Sequence, residues 1–323
     1  MIGPYVFLKQ KHLSLCNIIS ILVLFLFLNP PVLAEGLNPK ILESVVSILP
    51  EWPSDRRRNK EPEASAVAIF PGGYLATNDH VINLAKSIRV RLNNGRIIKA
   101  QIIGRDFLTD LALLKIPKNL PILPIGSYPT IGEKVCAIGN QFGLGLSVTC
   151  GVASALHRTG TGFNPIEDFI QTDAVVNPGG SGGALVDKEG NLVGLISAIF
   201  TKDNDANIGV NFATSTDLVL RVLREIKEKG RVVRGNPGFK VRNLTIKERQ
   251  KFVGALIAQI SKNSPAKKSG LREGDIIIGI NKRNIIRTTD IPSAIHMVRL
   301  NVPITIRYIR NGIKDTTTLV LKK

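Results

Sequence analysis

Apolar residues along this chain come in short runs cut by turn signals, with few stretches of helical period. Ala64–Phe70 and Tyr74–Thr77 are β-prone runs joined by Pro71-Gly72-Gly73, which predicts a tight reversal. SIRVRL alternates, with Ile88, Val90 and Leu92 on one face and Arg89 and Arg91 on the other, and Asn94-Gly95 turns it back into RIIKAQII. LALLKI predicts a further strand. From Gly132 the rhythm starts again with KVCAIG, LSVTCGVASAL, GALVD and NLVGLISAIF. Many short strands with frequent turns predict β-barrels or a sandwich.

The period changes at Ser215. STDLVLRVLREIKEKG opens on capping residues, sets Leu218, Val222, Leu223 and Ile226 on one stripe and stops at Gly230, which predicts a helix closing the first unit. Beyond it ALIAQI, DIIIGIN and ITIRYI predict strands, while SPAKKSG and DIPSAIHMVRL predict helices, an α+β module over 230–323. At the other end Lys9 and Lys11 precede an apolar core from Ile18 to Leu28, then Asn29-Pro30-Pro31 and Val32-Leu33-Ala34. That is the layout of a secretory signal over 1–34 with cleavage expected after Ala34. An uncleaved membrane anchor is the rival, although Leu13 to Leu28 is shorter than the ~20 residues that cross a bilayer comfortably. A segment over 35–60, apolar around Ile41 to Leu49 and then charged in DRRRNKEPE, leads into a first globular unit over 61–229.

With 323 residues and a 44% hydrophobic fraction the chain has the makings of two or three packed units. Its net charge of +18 is unevenly spread: 230–323 carries +15, whereas 35–229 carries +1. The C-terminal module is therefore expected either to meet anionic partners, such as acidic peptides or an anionic membrane surface, or simply to be lysine-rich and soluble. Nucleic acid is not expected, because the basic residues are not interleaved with aromatics. Export would hold Cys136 and Cys150 in an oxidising compartment, where they either pair across IGNQFGLGLSV or remain two small buried thiols. Neither belongs to a CxxC motif, and no metal site is expected.

The segment NPGGSGGAL sets Ser181 among glycines. A serine becomes a good nucleophile only with a base, an acid behind that base and amide donors for the oxyanion. Of four histidines, His12 lies in the signal, His296 sits on a predicted helix beside core-like Ile295 and Val298, and His157 is in a loop beside Arg158. His80 remains, at the end of a strand in YLATNDHVI. Asp110 opens LALLKI and is held by packing, whereas Asp79 and Asp106 lie nearer turns. The candidate triad is His80, Asp110 and Ser181. GGSGG also fits the G-x-S-x-G elbow of α/β-hydrolases, which needs a helix after the serine and both partners downstream. A hairpin follows instead, and the downstream histidine is His296, so an esterase of that type is rejected.

ATNDHV, TDLALLKI, AIGNQFGL, QTDAVVNPGGSGGALV and GVNFATS, in this order and spacing, resemble the HtrA (Deg) family of serine proteases from about Ala64 to Lys229. The resemblance implies a mainly β, trypsin-like double barrel with His80, Asp110 and Ser181 in the cleft, and an oxyanion hole from the amides of Gly179 and Ser181. It also implies trimers, which are common in the family. The C-terminal region resembles a PDZ domain through SPAKKSGLREGDIIIGINKRNI, with NPGFKV at its peptide-binding loop. Such domains take a chain end as an added strand. Pro237 has no N–H, which leaves Gly238 and Phe239 as expected carboxylate donors and Arg234 as a compensating charge.

Gly180 stands where the family has asparagine, and Ala184 where it has proline; the added freedom suggests an oxyanion loop that collapses without substrate. Val175, Ile196, Ser197 and Ala198 are expected to line the primary specificity pocket and offer no carboxylate, so cleavage after Val or Ala in unfolded chains is expected. The expected function is an exported, periplasmic endopeptidase acting on misfolded proteins and peptide C-termini. A silent, chaperone-like binding protein is the alternative. No cofactor is expected, and activity should rise as His80 loses its proton between acid and neutral pH.

Overall fold

The computed structural model describes residues 36–53, 63–199 and 208–322. The expected signal or anchor over 1–34 lies outside the described residues, as does the side chain of Ala198. Six strands, β1 (Val45–Glu51), β2 (Ala64–Phe70), β3 (Tyr74–Thr77), β4 (Ser87–Arg91), β5 (Ile97–Asp106) and β6 (Leu111–Lys115), close a barrel in the order β1-β2-β3-β6-β5-β4. Each pair is antiparallel, and Ile48, Ala66, Leu75, Val90 and Leu114 fill the interior. A short helix α1 (Asp79–Ile82) follows β3.

One expectation is corrected here. The apolar stretch Ile41 to Leu49 is expected in a segment preceding the globular unit. Val45–Glu51 is instead the first strand of the barrel, paired with β2 and β4 and buried at Val45, Val46 and Ile48. The first unit thus begins before residue 61. A strand apolar at consecutive positions carries no alternation by which to recognise it.

A second barrel repeats the plan with β7 (Lys134–Gly139), β8 (Ser147–Arg158), β9 (Phe169–Thr172), β10 (Ala184–Asp187), β11 (Leu192–Ile199) and β12 (Asn211–Ser215), in the order β10-β11-β12-β9-β8-β7. Cys136 and Cys150 face each other across β7 and β8 and are joined by a disulfide. Helix α2 (Thr216–Lys229) then lies against β5 and β6 of the first barrel and β11 and β12 of the second. Ser215 caps its first turn by accepting from the Leu218 amide, and Gly230 ends it at φ 72. Its buried stripe includes Leu218, Val222, Leu223 and Ile226. The end of α2 comes so close to β5 that a Cβ on Gly104 would stand 2.4 Å from the Gly230 carbonyl oxygen, and only glycine permits that approach.

A third sheet follows, in the order β13 (Phe239–Asn243), β14 (Ala255–Ile260), β15 (Ile276–Ile280), β17 (Pro303–Arg310) and β18 (Ile313–Val320), with β16 (Arg283–Asn284) beside β15. Helix α3 (Asp290–His296) covers it, and Ile257, Ile277, Ile295, Ile306 and Leu319 share one core. Polar contacts tie this module to both barrels. Arg234 grips Asp106 with two hydrogen bonds of 2.7 and 2.6 Å, Arg283 pairs with Asp168 at 3.0 Å, and the Thr159 hydroxyl donates to Asp290 at 2.6 Å. No helix among the described residues is long and apolar enough to cross a membrane.

Candidate active site

The first barrel carries the expected base and acid. His80 stands in α1, and Asp110 sits in the turn between β5 and β6 at φ 55, a left-handed conformation that aspartate tolerates better than most residues. Three bonds hold it there: its carbonyl accepts from the Asn78 side chain (3.0 Å) and the Asp79 amide (3.1 Å), and its carboxylate accepts from the His80 amide (2.8 Å). The other carboxylate oxygen meets His80 Nδ1 at 2.7 Å. Asp110 is thereby both positioned and aimed. Next to it the buried Asp79 carboxyl is pushed above the usual range by burial, which outweighs its bond from Arg105.

The second barrel supplies the hydroxyl. Ser181 shares a cavity of ≈ 400 Å³ with His80 and Asp110, in the loop between β9 and β10. Gly179 takes φ 90, and a Cβ there would meet the Asn140 carbonyl oxygen at 2.3 Å. Three bonds hold the loop in place. The Pro178 carbonyl accepts from the Phe142 amide (2.6 Å), the Gly180 amide donates to the Asn177 carbonyl (2.9 Å), and the Gly179 carbonyl accepts from the Ser65 hydroxyl (2.8 Å).

Ser65 deserves a role that sequence reasoning did not give it. Its hydroxyl also accepts from the Asn140 amide at 2.8 Å, and its own amide donates to the Ser181 carbonyl at 2.9 Å. One fully buried serine of the first barrel therefore fastens both ends of the oxyanion loop of the second. The available signal was a lone hydroxyl inside the apolar run ASAVAIF.

Comparison with known proteins agrees with this architecture. A trypsin-like peptidase domain matches residues 64–195 and a PDZ domain matches residues 206–321. The probable periplasmic serine endoprotease DegP-like of Pseudomonas putida (strain GB-1) is 37% identical over 290 residues, which are 86% of this chain and 60% of that protein. The periplasmic serine endoprotease DegP of Salmonella typhimurium is 36% identical over 260 residues, or 78% and 54% of the two chains. The chain thus spans 60% or less of the length of these two curated relatives. The solved HtrA-type protease AlgW with tripeptide superposes with a TM-score of 0.71 at 38% identity, covering 87% of this chain and 93% of that one. The chain belongs to the HtrA family of serine proteases.

Within this HtrA chain the expected specificity residues separate. Ser197 lines the Ser181 cavity. Ile196, expected beside it, is buried and packs into the second barrel's core with Val135, Leu185 and Ala213. Val175 is 43% exposed and is not among the cavity's lining residues; its carbonyl accepts from the Thr149 hydroxyl at 2.5 Å. The lining residues that sequence reasoning missed include Phe107, Phe163 and Pro165.

The expected carboxylate-binding residues of the PDZ domain are also redistributed. Arg234 is committed to Asp106, and the Gly238 amide donates to the Asn236 side chain at 2.8 Å, so neither is turned toward an incoming chain end. Phe239 opens β13 and packs against the module's core. Among the described residues no group of three or more His, Cys, Asp or Glu side chains is arranged to hold a metal ion.

Proposed function

We propose that this chain is a serine endopeptidase that cuts unfolded polypeptides in the periplasm, with His80, Asp110 and Ser181 as its catalytic residues. The observation that carries the reading is the 2.7 Å contact between His80 Nδ1 and an Asp110 carboxylate that is itself fixed by the His80 amide, at the rim of the cavity that holds Ser181. With its Nδ1 proton directed to Asp110, the neutral imidazole keeps Nε2 as the base. Nε2 takes the Ser181 Oγ proton as Oγ bonds to the scissile carbonyl carbon, and the displaced π electrons settle on the carbonyl oxygen. The amides of Gly179 and Ser181 receive that oxyanion. The imidazolium, stabilised by Asp110, returns its proton to the leaving amine as the C–N bond breaks. Water then enters and loses a proton to His80 as its oxygen bonds to the acyl carbon; the bond from that carbon to Oγ breaks, and His80 returns the proton to Ser181 Oγ.

The PDZ domain serves to bind a peptide chain end, with Phe239 at the head of the receiving strand. Trimer assembly and contact of the basic module with an anionic membrane belong to the same reading, and sedimentation and liposome binding test them. For catalysis the test is degradation of casein, an unfolded substrate, together with labelling by a fluorophosphonate. Wild type is expected to do both, and Ser181→Ala to lose at least about 10⁴-fold in rate along with all labelling. Equal casein cleavage by the two proteins would refute the assignment.

A further inference from the structure

The loop from Thr159 to Asp168 leaves the second barrel, crosses the cleft and bonds to the first, where the Ile166 amide donates to the Leu108 carbonyl at 2.9 Å. Its middle is wrapped around one buried carboxylate. Glu167 accepts from the amides of Thr161 (2.8 Å), Gly162 (3.0 Å), Phe163 (2.9 Å) and Asn164 (3.1 Å), and from the Thr161 hydroxyl (2.7 Å). Four consecutive amides turned on one carboxylate leave the loop backbone little freedom, since charge-assisted bonds of this kind are about twice as strong as neutral ones. The loop thus delivers Phe163 to a fixed place, with its ring 5.6 Å from that of Phe212 and 6.4 Å from that of Phe169.

Phe163 is nevertheless 39% exposed, and it lines the cavity that contains Ser181 and His80. Across from it, on the turn that carries Asp110, Phe107 lines the same cavity and is 73% exposed. A phenylalanine so exposed contributes little to the core. In this position it offers apolar surface to whatever occupies the cleft, with Pro165 alongside.

We infer that Phe107 and Phe163 form an apolar subsite beside the catalytic residues, which selects a large aliphatic or aromatic side chain of the substrate near the scissile bond, and that Glu167 is the positioning residue for this subsite. The inference rests on the serine endopeptidase reading. The substrate class it names is polypeptide whose buried, apolar segments have become accessible, since such side chains are withdrawn from reach in folded proteins. A shallow apolar contact of this kind discriminates by on the order of tenfold or somewhat more.

The test uses the full chain and peptide libraries in which each of the four residues before the scissile bond is varied in turn. Rates are normalised to the fraction of chains that react with a fluorophosphonate, so that only folded, competent sites are counted. Wild type is expected to favour Leu or Phe over Ala and Asp by at least about tenfold at one position. Phe107→Ala and Phe163→Ala are expected to reduce that ratio to below about threefold, through KM more than kcat. Glu167→Gln should do the same, and Glu167→Asp should restore part of the ratio. Phe107 has so little packing that its variant remains informative where Phe163→Ala fails to fold. Labelling of Ser181 with an unchanged preference in Phe107→Ala, or no preference in wild type, overturns the subsite alone. Absence of labelling in wild type overturns the subsite and the protease reading together.

Discussion

Acidification from pH 7.5 to 4.5 is expected to weaken this fold through one identifiable side chain. His296, at the end of α3, is largely buried and faces Arg234 and Arg221, with Asp106 acting against them. Burial first, and the two guanidinium groups second, hold its imidazole down at about 4, against an ordinary value of 6.5. A histidine kept neutral in the folded chain charges readily in the unfolded one. Below 6.5 the unfolded state therefore binds a proton that the folded state refuses, so stability falls with pH until about 4 and then levels. At 1.36 kcal/mol per pH unit, the gap between 6.5 and about 4 is worth about 3 kcal/mol in full, and most of it is spent by pH 4.5. Urea unfolding followed by circular dichroism at pH 7.5, 6.5, 5.5 and 4.5, in wild type and His296→Gln, reads this directly. Every other titrating group is common to both proteins and cancels in the difference. Wild type should lose roughly 2 to 3 kcal/mol more than the variant over that range. Parallel curves would show that His296 charges freely in place and that the burial argument fails.

Three further outcomes follow from particular contacts. Asp106→Ala leaves Arg234 half-enclosed without its carboxylate and is expected to cost about 3 kcal/mol in urea unfolding, with Arg234→Ala adding little on top because the two act as one pair. Gly179→Ala places a Cβ 2.3 Å from the Asn140 carbonyl oxygen, so the oxyanion loop must move; kcat on a peptide substrate should fall by about 100-fold or more while the circular dichroism spectrum is kept. Cys150→Ser opens a bridge between residues 14 apart and should remove about 3 kcal/mol of stability, the same loss that a reductant produces in wild type.

Residue chemistry nominated the candidate triad, and alternation showed much of the fold. His80, Asp110 and Ser181 were reached by asking which histidine stands at a strand end and which aspartate opens a buried strand, questions that sequence answers. Many strands from Ala64 onward declared themselves by period and by turn residues, and α2 by its cap, stripe and terminal glycine, whereas β9, β12, β13 and β18 were not among the expected strands. What stayed hidden depended on partners far along the chain. β1 is buried at four successive positions, Val45 to Ile48, so both of its faces are covered and it has no period to detect. Ile196 was assigned to the cleft, yet the ladder between β11 and β12 shifts between Ile196 and Ala198, and Ile196 turns into the core while Ser197 reaches the cavity. Arg234 looked like a ligand for a chain end because nothing local shows that Asp106 lies within 2.7 Å.

The same limit explains why polar clamps such as Ser65 were missed. The proposed nucleophile from one barrel and base from the other must hold a mutual position to within fractions of an ångström, and apolar packing between barrels, being non-directional, does not fix that alone. Directional bonds across the seam do: Ser65 to the Gly179 and Ser181 carbonyls, and Ile166 to the Leu108 carbonyl two residues before the acid. The loop that makes the last of these bonds also reaches Asp290 of the PDZ domain through Thr159. The segment whose shape Glu167 sets thus touches the first barrel through Ile166, lines the Ser181 cavity through Phe163 and contacts the third module through Thr159, so one loop borders all three parts.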